Sequence, residues 1–226
     1  MGARKASKSK SSPASRRSVG PGKYDRGRTP RERWEEQHTK LLEAATLIFA
    51  RRGFASAAVE AVIAEAGMSR RTFYEHFDDM RDLLDQVCER ASGTAYQMVE
   101  GLIRAEPDPV RRIRVGIDAW LGAIAAFPDA AKVVLREARS AGPEYEARRE
   151  LETTRYASLL FEALAAAHAA GAIKRVPDEM SVYALTAALE AVAMRTLSRG
   201  RPQEIAEAAP QLYALILNAF GGDVSP

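Results

Sequence analysis

Three observations predict an all-α chain with a short helical head and a longer helical body. Apolar residues recur at spacings of three and four from Leu41 to Phe220, the pattern of one buried helix face. Glycines, prolines and Ser or Asp capping residues interrupt that pattern at helix-length intervals. No segment alternates apolar and polar residues with the two-residue period of a strand, and neither a hairpin signal nor an internal repeat occurs. With 46% hydrophobic residues in a chain of 226, a sizeable core is available.

The elements follow in order. In residues 1–30, rich in Ser, Gly, Pro, Lys and Arg, Val19 and Tyr24 are the only large apolar residues beyond Met1. So little burial cannot offset the entropy of ordering, and a disordered basic tail is expected there. A first helix, about Glu32 to Arg52, carries Leu41, Leu42, Ala45, Ile48 and Phe49 on one face and ends before Gly53. Ser56 is expected to cap a short second helix carrying Val59, Val62 and Ile63 that stops at Gly67, and Ser69 to cap a third through Phe77. Leu83, Leu84, Val87, Ala91, Met98 and Leu102 mark a long fourth helix, about Asp79 to Arg104. Ile113, Ile117, Trp120, Ile124 and Phe127 mark a fifth that stops before Pro128. A sixth, Ala130 to Ala138, is parted by Ala141, Gly142 and Pro143 from a seventh, about Glu144 to Ala170. Asp178 to Ser198 and Pro202 to Phe220 complete about nine helices.

Charge is unevenly placed. Residues 1–33 hold eleven Lys or Arg against Asp25 and Glu32, whereas the whole chain is only +3, so everything beyond the tail is acidic. A single cysteine, Cys88, precludes an internal disulfide and reads as a small buried thiol in an apolar helix. His38, His76 and His168 share no metal-ligand spacing with it or with one another, so neither metal nor cofactor is expected. The longest uncharged apolar stretches, such as Trp120 to Pro128 and Ala163 to Ile173, fall short of the ~20 residues a bilayer requires. No apolar signal core follows the basic N-terminus, and a cytoplasmic chain without membrane contact is expected.

The informative segment is Ser56 to Leu84, SAAVEAVIAEAGMSRRTFYEHFDDMRDLL. Two short helices joined by Ala-Gly-Met-Ser form the compact unit that presents its second helix to a DNA major groove. Phe73 and Phe77, four apart, are expected to face inward, and Met68 to pack on Phe73. That turns Arg71, Tyr74 and Glu75 outward, flanked by Arg70 and Thr72. The outward set combines a bidentate donor for guanine, a phenol for phosphate or thymine methyl, and an acceptor for a cytosine amine.

From about Leu41 to Leu84 the sequence resembles the TetR family of bacterial regulators. LLEAATLIFARRGF is similar to that family's first helix, and AEAGMSRRTFYEHF to its turn and recognition helix. The resemblance implies a homodimer that reads a palindromic operator in double-stranded DNA, usually as a repressor released by a small-molecule effector. The partner would be held by a four-helix interface from the last two helices, with Val182, Leu185, Leu189, Val192, Met194, Ile205, Leu212, Leu215, Ile216 and Phe220 as its apolar surface. Residues 31–78 would be the DNA-binding domain and residues 79–226 the effector-binding and dimerisation domain. By position, Arg70, Arg71, Thr72 and Tyr74 would contact bases or backbone, His76 a phosphate, and Ser69 would cap the reading helix. Ala57 and Ala58 stand where a backbone-binding Thr or Ser is common, leaving Ser56 as substitute; Met80 stands where a Lys is usual, with Arg81 next to it. Pocket candidates are Tyr96, Met98, Trp120, Phe127, Tyr156, Phe161 and His168, with Arg155, Glu190 and Arg195 as polar groups that orient a ligand or pair with one another.

Two other classes are weaker. An enzyme would need a phosphate loop, an acid pair in a cleft or a nucleophile with a base, and none is visible. A helical adaptor acting through protein partners would leave Arg71, Tyr74 and His76 without a purpose. Residues 34–81 contain six basic and eight acidic residues, so the head is poor in the cations that supply affinity for phosphates. The basic tail is expected to make good that deficit. Deleting residues 1–30 should therefore weaken DNA binding and flatten its dependence on salt; an unchanged salt slope would remove the tail from the interface.

Overall fold

A computed structural model describes residues 28–223, and among them every regular element is helical. The expected tail lies outside the described residues up to position 27, but its last three residues, Arg28, Thr29 and Pro30, belong to the fold. Thr29 accepts from the Glu32 N–H while the Glu32 side chain accepts from the Thr29 N–H, a reciprocal cap that starts α1 (Pro30–Arg52) with proline in its first turn.

The head continues with a single 3₁₀ turn at Phe54–Ser56, then α2 (Val59–Ala66) and α3 (Arg70–His76). Ser56 is not the cap of α2: Ala58 holds that position and makes no side-chain bond, because the 3₁₀ turn consumes the residues expected to begin the helix. Gly67 ends α2 in the left-handed region at φ 66°, and Ser69 caps α3 by accepting from the Thr72 N–H at 3.1 Å. Asp79 caps α4 (Met80–Ala105) and Asp108 caps α5 (Pro109–Ala126) through backbone N–H groups of their first turns.

After α6 (Pro128–Lys132) the chain departs from the single expected helix. It widens into a π turn, Val133–Glu137, in which the Ala138 N–H donates to Val133 O, and then tightens into a 3₁₀ turn, Ala138–Ala141. The long α7 (Pro143–Ala169) and α8 (Glu179–Ser198) follow. The expected last helix is broken into α9 (Glu204–Glu207) and α10 (Ala209–Ala219), since Pro210 has no N–H to continue the ladder.

Two cores result. The first joins Leu41, Ala45, Phe49, Val62, Phe73 and Phe77 of the head to Leu83, Leu84 and Val87 of α4 and to Val133, Ala138 and Ala141 of the α6–α7 connection. The second lies among α5, α7, α8, α9 and α10 around Leu121, Leu164, Ile205 and Ile216. α4, about 39 Å long at 1.5 Å per residue, reaches from the first core into the body. Of the apolar surface expected at a dimer contact, Val182, Ile205, Leu212, Ile216 and Phe220 are buried in this chain's own second core. Leu215 is exposed, and Leu185, Leu189, Val192 and Met194 are half-buried. No helix among the described residues is long and apolar enough to cross a membrane.

Leu164→Ala, at a position with no exposure, should cost about 2–5 kcal/mol in chemical denaturation. Leu151→Ala, on the exposed face of the same helix, should stay within about 0.5 kcal/mol of the parent. Equal costs would place the second core elsewhere.

Candidate nucleic-acid interface and ligand cavity

α3 is held from below and open above. Phe73 and Phe77 are buried, as their spacing requires, and Met68 packs against the same core. Arg70, Arg71, Tyr74 and Glu75 stand on the exposed side with Ser69 at its start, while Thr72 is half-buried with its hydroxyl 2.9 Å from that of Ser69. Tyr74 is half exposed and packs edge-on against Phe73, which fixes the phenol's direction. Both arginines are engaged. Arg71 pairs with Glu75 at 2.9 Å, and Arg70 pairs with Glu60 of α2 while its guanidinium lies 5.7 Å from the Tyr74 ring centre. Such exposed pairs contribute little and yield readily to a stronger anion such as phosphate.

Two of the expected contacts are placed differently. His76 is buried, not outward: its ring sits 4.8 Å from Trp34 and 5.5 Å from His38, and His38 stacks on Phe77 at 5.0 Å. The short α3 turns its last residue back toward α1, which spacing from Phe73 alone does not reveal. Neither ring nitrogen of His76 has a hydrogen-bond partner among the described residues. Arg81 is committed to the body, donating to Ala141 O at 2.7 Å, pairing with Glu144 and lying over the Tyr145 ring. Ser56 is exposed on the 3₁₀ turn beside α2.

The body contains a cavity of about 770 Å³ that runs from Leu42 and Thr46 on α1, between α4, α5 and the α6–α7 connection, to Leu189 and Glu190 on α8. Of the candidate residues, Met98, Trp120, Phe127 and Tyr156 line this cavity and Tyr96, Phe161 and His168 do not. Tyr96 packs edge-on against Tyr156 and carries the Arg155 guanidinium 4.0 Å above its ring, Phe161 packs into the second core, and a His168 ring nitrogen lies 3.2 Å from Ile173 O in the turn after α7. The apolar surroundings that suggest each of the three as a pocket residue are other side chains of the protein.

At the α7–α8 end the lining turns polar. Glu190, buried, accepts from Arg149 and Thr153 at 3.2 Å each, and Thr186 stands one helical turn before it. Arg149, Thr153 and Thr186 are not among the residues expected from the sequence, although Arg149 and Thr153 stand four apart on one helix and Thr186 and Glu190 four apart on another. The expected partners of Glu190 are elsewhere: Arg155 pairs with Glu152 at 3.2 Å, and Arg195 is exposed. Cys88 also lines the cavity, with burial pushing its thiol up to about 12, so it stays protonated and inert. Among the described residues no cluster of His, Cys, Asp or Glu is arranged to hold a metal ion.

Burial holds both head imidazoles below the usual histidine range. For His38 the Arg90 charge adds to the effect and Asp82 opposes it; for His76 the His38 ring adds and Glu75 opposes. The unfolded chain therefore takes up these protons before the folded one does. The head keeps full stability above about pH 6.5 and loses it as the pH falls below that value. Between pH 7 and 5 the melting temperature should fall less in a His38→Gln, His76→Gln double variant than in the parent; parallel curves would show that these rings are not responsible.

Residues 41–87 match the model of the bacterial regulatory proteins of the tetR family, and residues 106–217 match that of the tetracyclin repressor-like C-terminal domain. The HTH-type transcriptional activator FasR of Mycolicibacterium smegmatis is 29% identical over 93 residues, so the match spans 41% of this chain and only 41% of that relative. The fatty acid degradation regulator FadR of Bacillus halodurans has the same fold, with a TM-score of 0.75 at 17% identity over 87% of this chain and 99% of that one. FadR of Bacillus subtilis, solved in complex with stearoyl-CoA, gives 0.71 at 16% identity, covering 80% and 97%. The head and the body each find their counterpart in the same group of proteins, and the chain belongs to the TetR family of DNA-binding transcriptional regulators.

Proposed function

We propose that this protein is a homodimeric repressor that reads an inverted repeat in double-stranded DNA and releases it when a small molecule occupies the cavity. The observation that carries the reading is the position of the cavity. It extends from the wall of α1, inside the DNA-reading head, to the far side of the body, so one ligand touches both parts. Its volume lies within the range of about 300–1,000 Å³ of small-molecule sites. Its mostly apolar lining with one polar end suits an elongated, largely apolar effector, and the stearoyl-CoA complex of the Bacillus subtilis FadR supports that class.

On the DNA side, Ser69, Arg70, Arg71, Thr72 and Tyr74 form the contact surface, with Ser56 beside it for the backbone. His76 and Arg81 act from behind, setting the pitch of α3 and α4 through Trp34, His38 and Ala141. The dimer contact uses the outward faces of α8 and α10, where Met180 and Leu215 are exposed beside the small residues Ala184 and Ala191 that let a partner helix approach closely.

Incubating the purified protein with genomic fragments at near-physiological salt, then recovering and sequencing the DNA it retains, should enrich one inverted repeat with half-sites one or more helical turns apart. Tyr74→Ala should abolish that enrichment without changing the dimer or its melting. Glu75→Gln, which frees Arg71, should tighten binding to any DNA several-fold and steepen the salt dependence. Equal recovery by the parent and Tyr74→Ala would assign the helical body to protein partners instead.

A further inference from the structure

The connection between α6 and α7 belongs to both halves of the molecule. Val133 is fully buried in the first core, while Val134 and Leu135 line the cavity and Ala138 does both. Glu137 closes the π turn. Its carboxylate is nine-tenths buried, and Oε2 accepts from the Phe54 N–H at 3.3 Å, across 83 residues of sequence. The same oxygen would stand 3.1 Å from a Cβ at residue 53, so Gly53, at φ 79°, is required both by its conformation and by the approach of this carboxylate. Arg136 pairs with Oε1 at 3.0 Å. At the far end of the connection Arg81 holds Ala141 O and Glu144. A segment whose other side is cavity wall thus grips the head at the turn after α1 and, next to the head, the start of α4.

A π turn contains one residue more than an α turn, and relaxing it to α rotates the chain beyond it by about 100° relative to α6. An element that can switch between two discrete arrangements is the kind through which packed proteins transmit a change. We propose that Glu137 is a positioning residue for DNA reading: its carboxylate latches the α1–α2 turn to the cavity wall, and a ligand that displaces Val134 and Leu135 withdraws it from the Phe54 N–H. The turn then moves, and α2 and α3 move with it. This rests on the reading that the cavity accepts an effector.

The test uses the full chain, the recovered operator and stearoyl-CoA as probe, with probe binding measured by calorimetry on the protein with both tryptophans intact. With saturating probe, the parent's operator Kd should rise about tenfold, a usual size for allosteric coupling. Glu137→Ala should bind the probe at least as tightly as the parent, since no latch has to be broken, yet the ratio of operator affinities with and without it should fall to within about twofold of one. Glu137→Gln, which keeps an oxygen for the Phe54 N–H, should retain most of the ratio. A full tenfold ratio in Glu137→Ala overturns the latch, because a merely structural residue would shift both affinities together. If the parent does not bind the probe, the effector class fails and the latch is decided without ligand. Faster amide exchange at Phe54 with at least threefold weaker operator binding in Glu137→Ala supports it, and unchanged values of both overturn it.

Discussion

The structure depends on a core that the head cannot complete alone. Three helices of 23, 8 and 7 residues present Leu41, Phe49, Val62 and Phe73 inward, but a unit this small exposes too much of its apolar surface to be stable by itself. Leu83, Leu84 and Val87 from α4 and Val133, Ala138 and Ala141 from the α6–α7 connection supply the missing side. Burial of this kind is close-packed and tolerates little sliding. The angle of α3 is therefore set in part by residues of the body.

Polar contacts refine the arrangement that packing establishes. Glu137 on Phe54 spans the seam between head and body, and Arg81 on Ala141 ties the start of α4 to the α6–α7 connection, each through a hydrogen bond in which one partner is charged, the stronger and more directional kind. On the exposed face of α3 the opposite holds: Arg70 and Arg71 are paired with exposed carboxylates, and such pairs hold their side chains only weakly. The cavity combines both features. Most of its wall is apolar, and the buried Glu190 is neutralised by Arg149 and hydrogen-bonded by Thr153, which avoids the cost of an isolated carboxylate and leaves a polar mark at one end.

The sequence by itself determined the helical class, the order and approximate bounds of the helices, the inward pair Phe73 and Phe77 and the outward Arg71 and Tyr74. These rest on local periodicity and on caps such as Ser69 and Asp79, which act within a few residues of chain. The residues Ser56, His76 and Arg81 show where such reasoning stops. The 3₁₀ turn that contains Ser56 takes it out of the cap, while α1 covers His76 with Trp34 and His38 and α7 captures Arg81, both through elements remote in sequence. Tyr96, Phe161 and His168 lie off the cavity for the same reason: an apolar context in sequence does not distinguish a wall facing space from one facing another helix. Only the tertiary structure decided that Glu137 reaches Phe54 and that one connection serves both core and cavity, because a contact across 83 residues is set by how the helices pack and leaves no periodic trace in the chain.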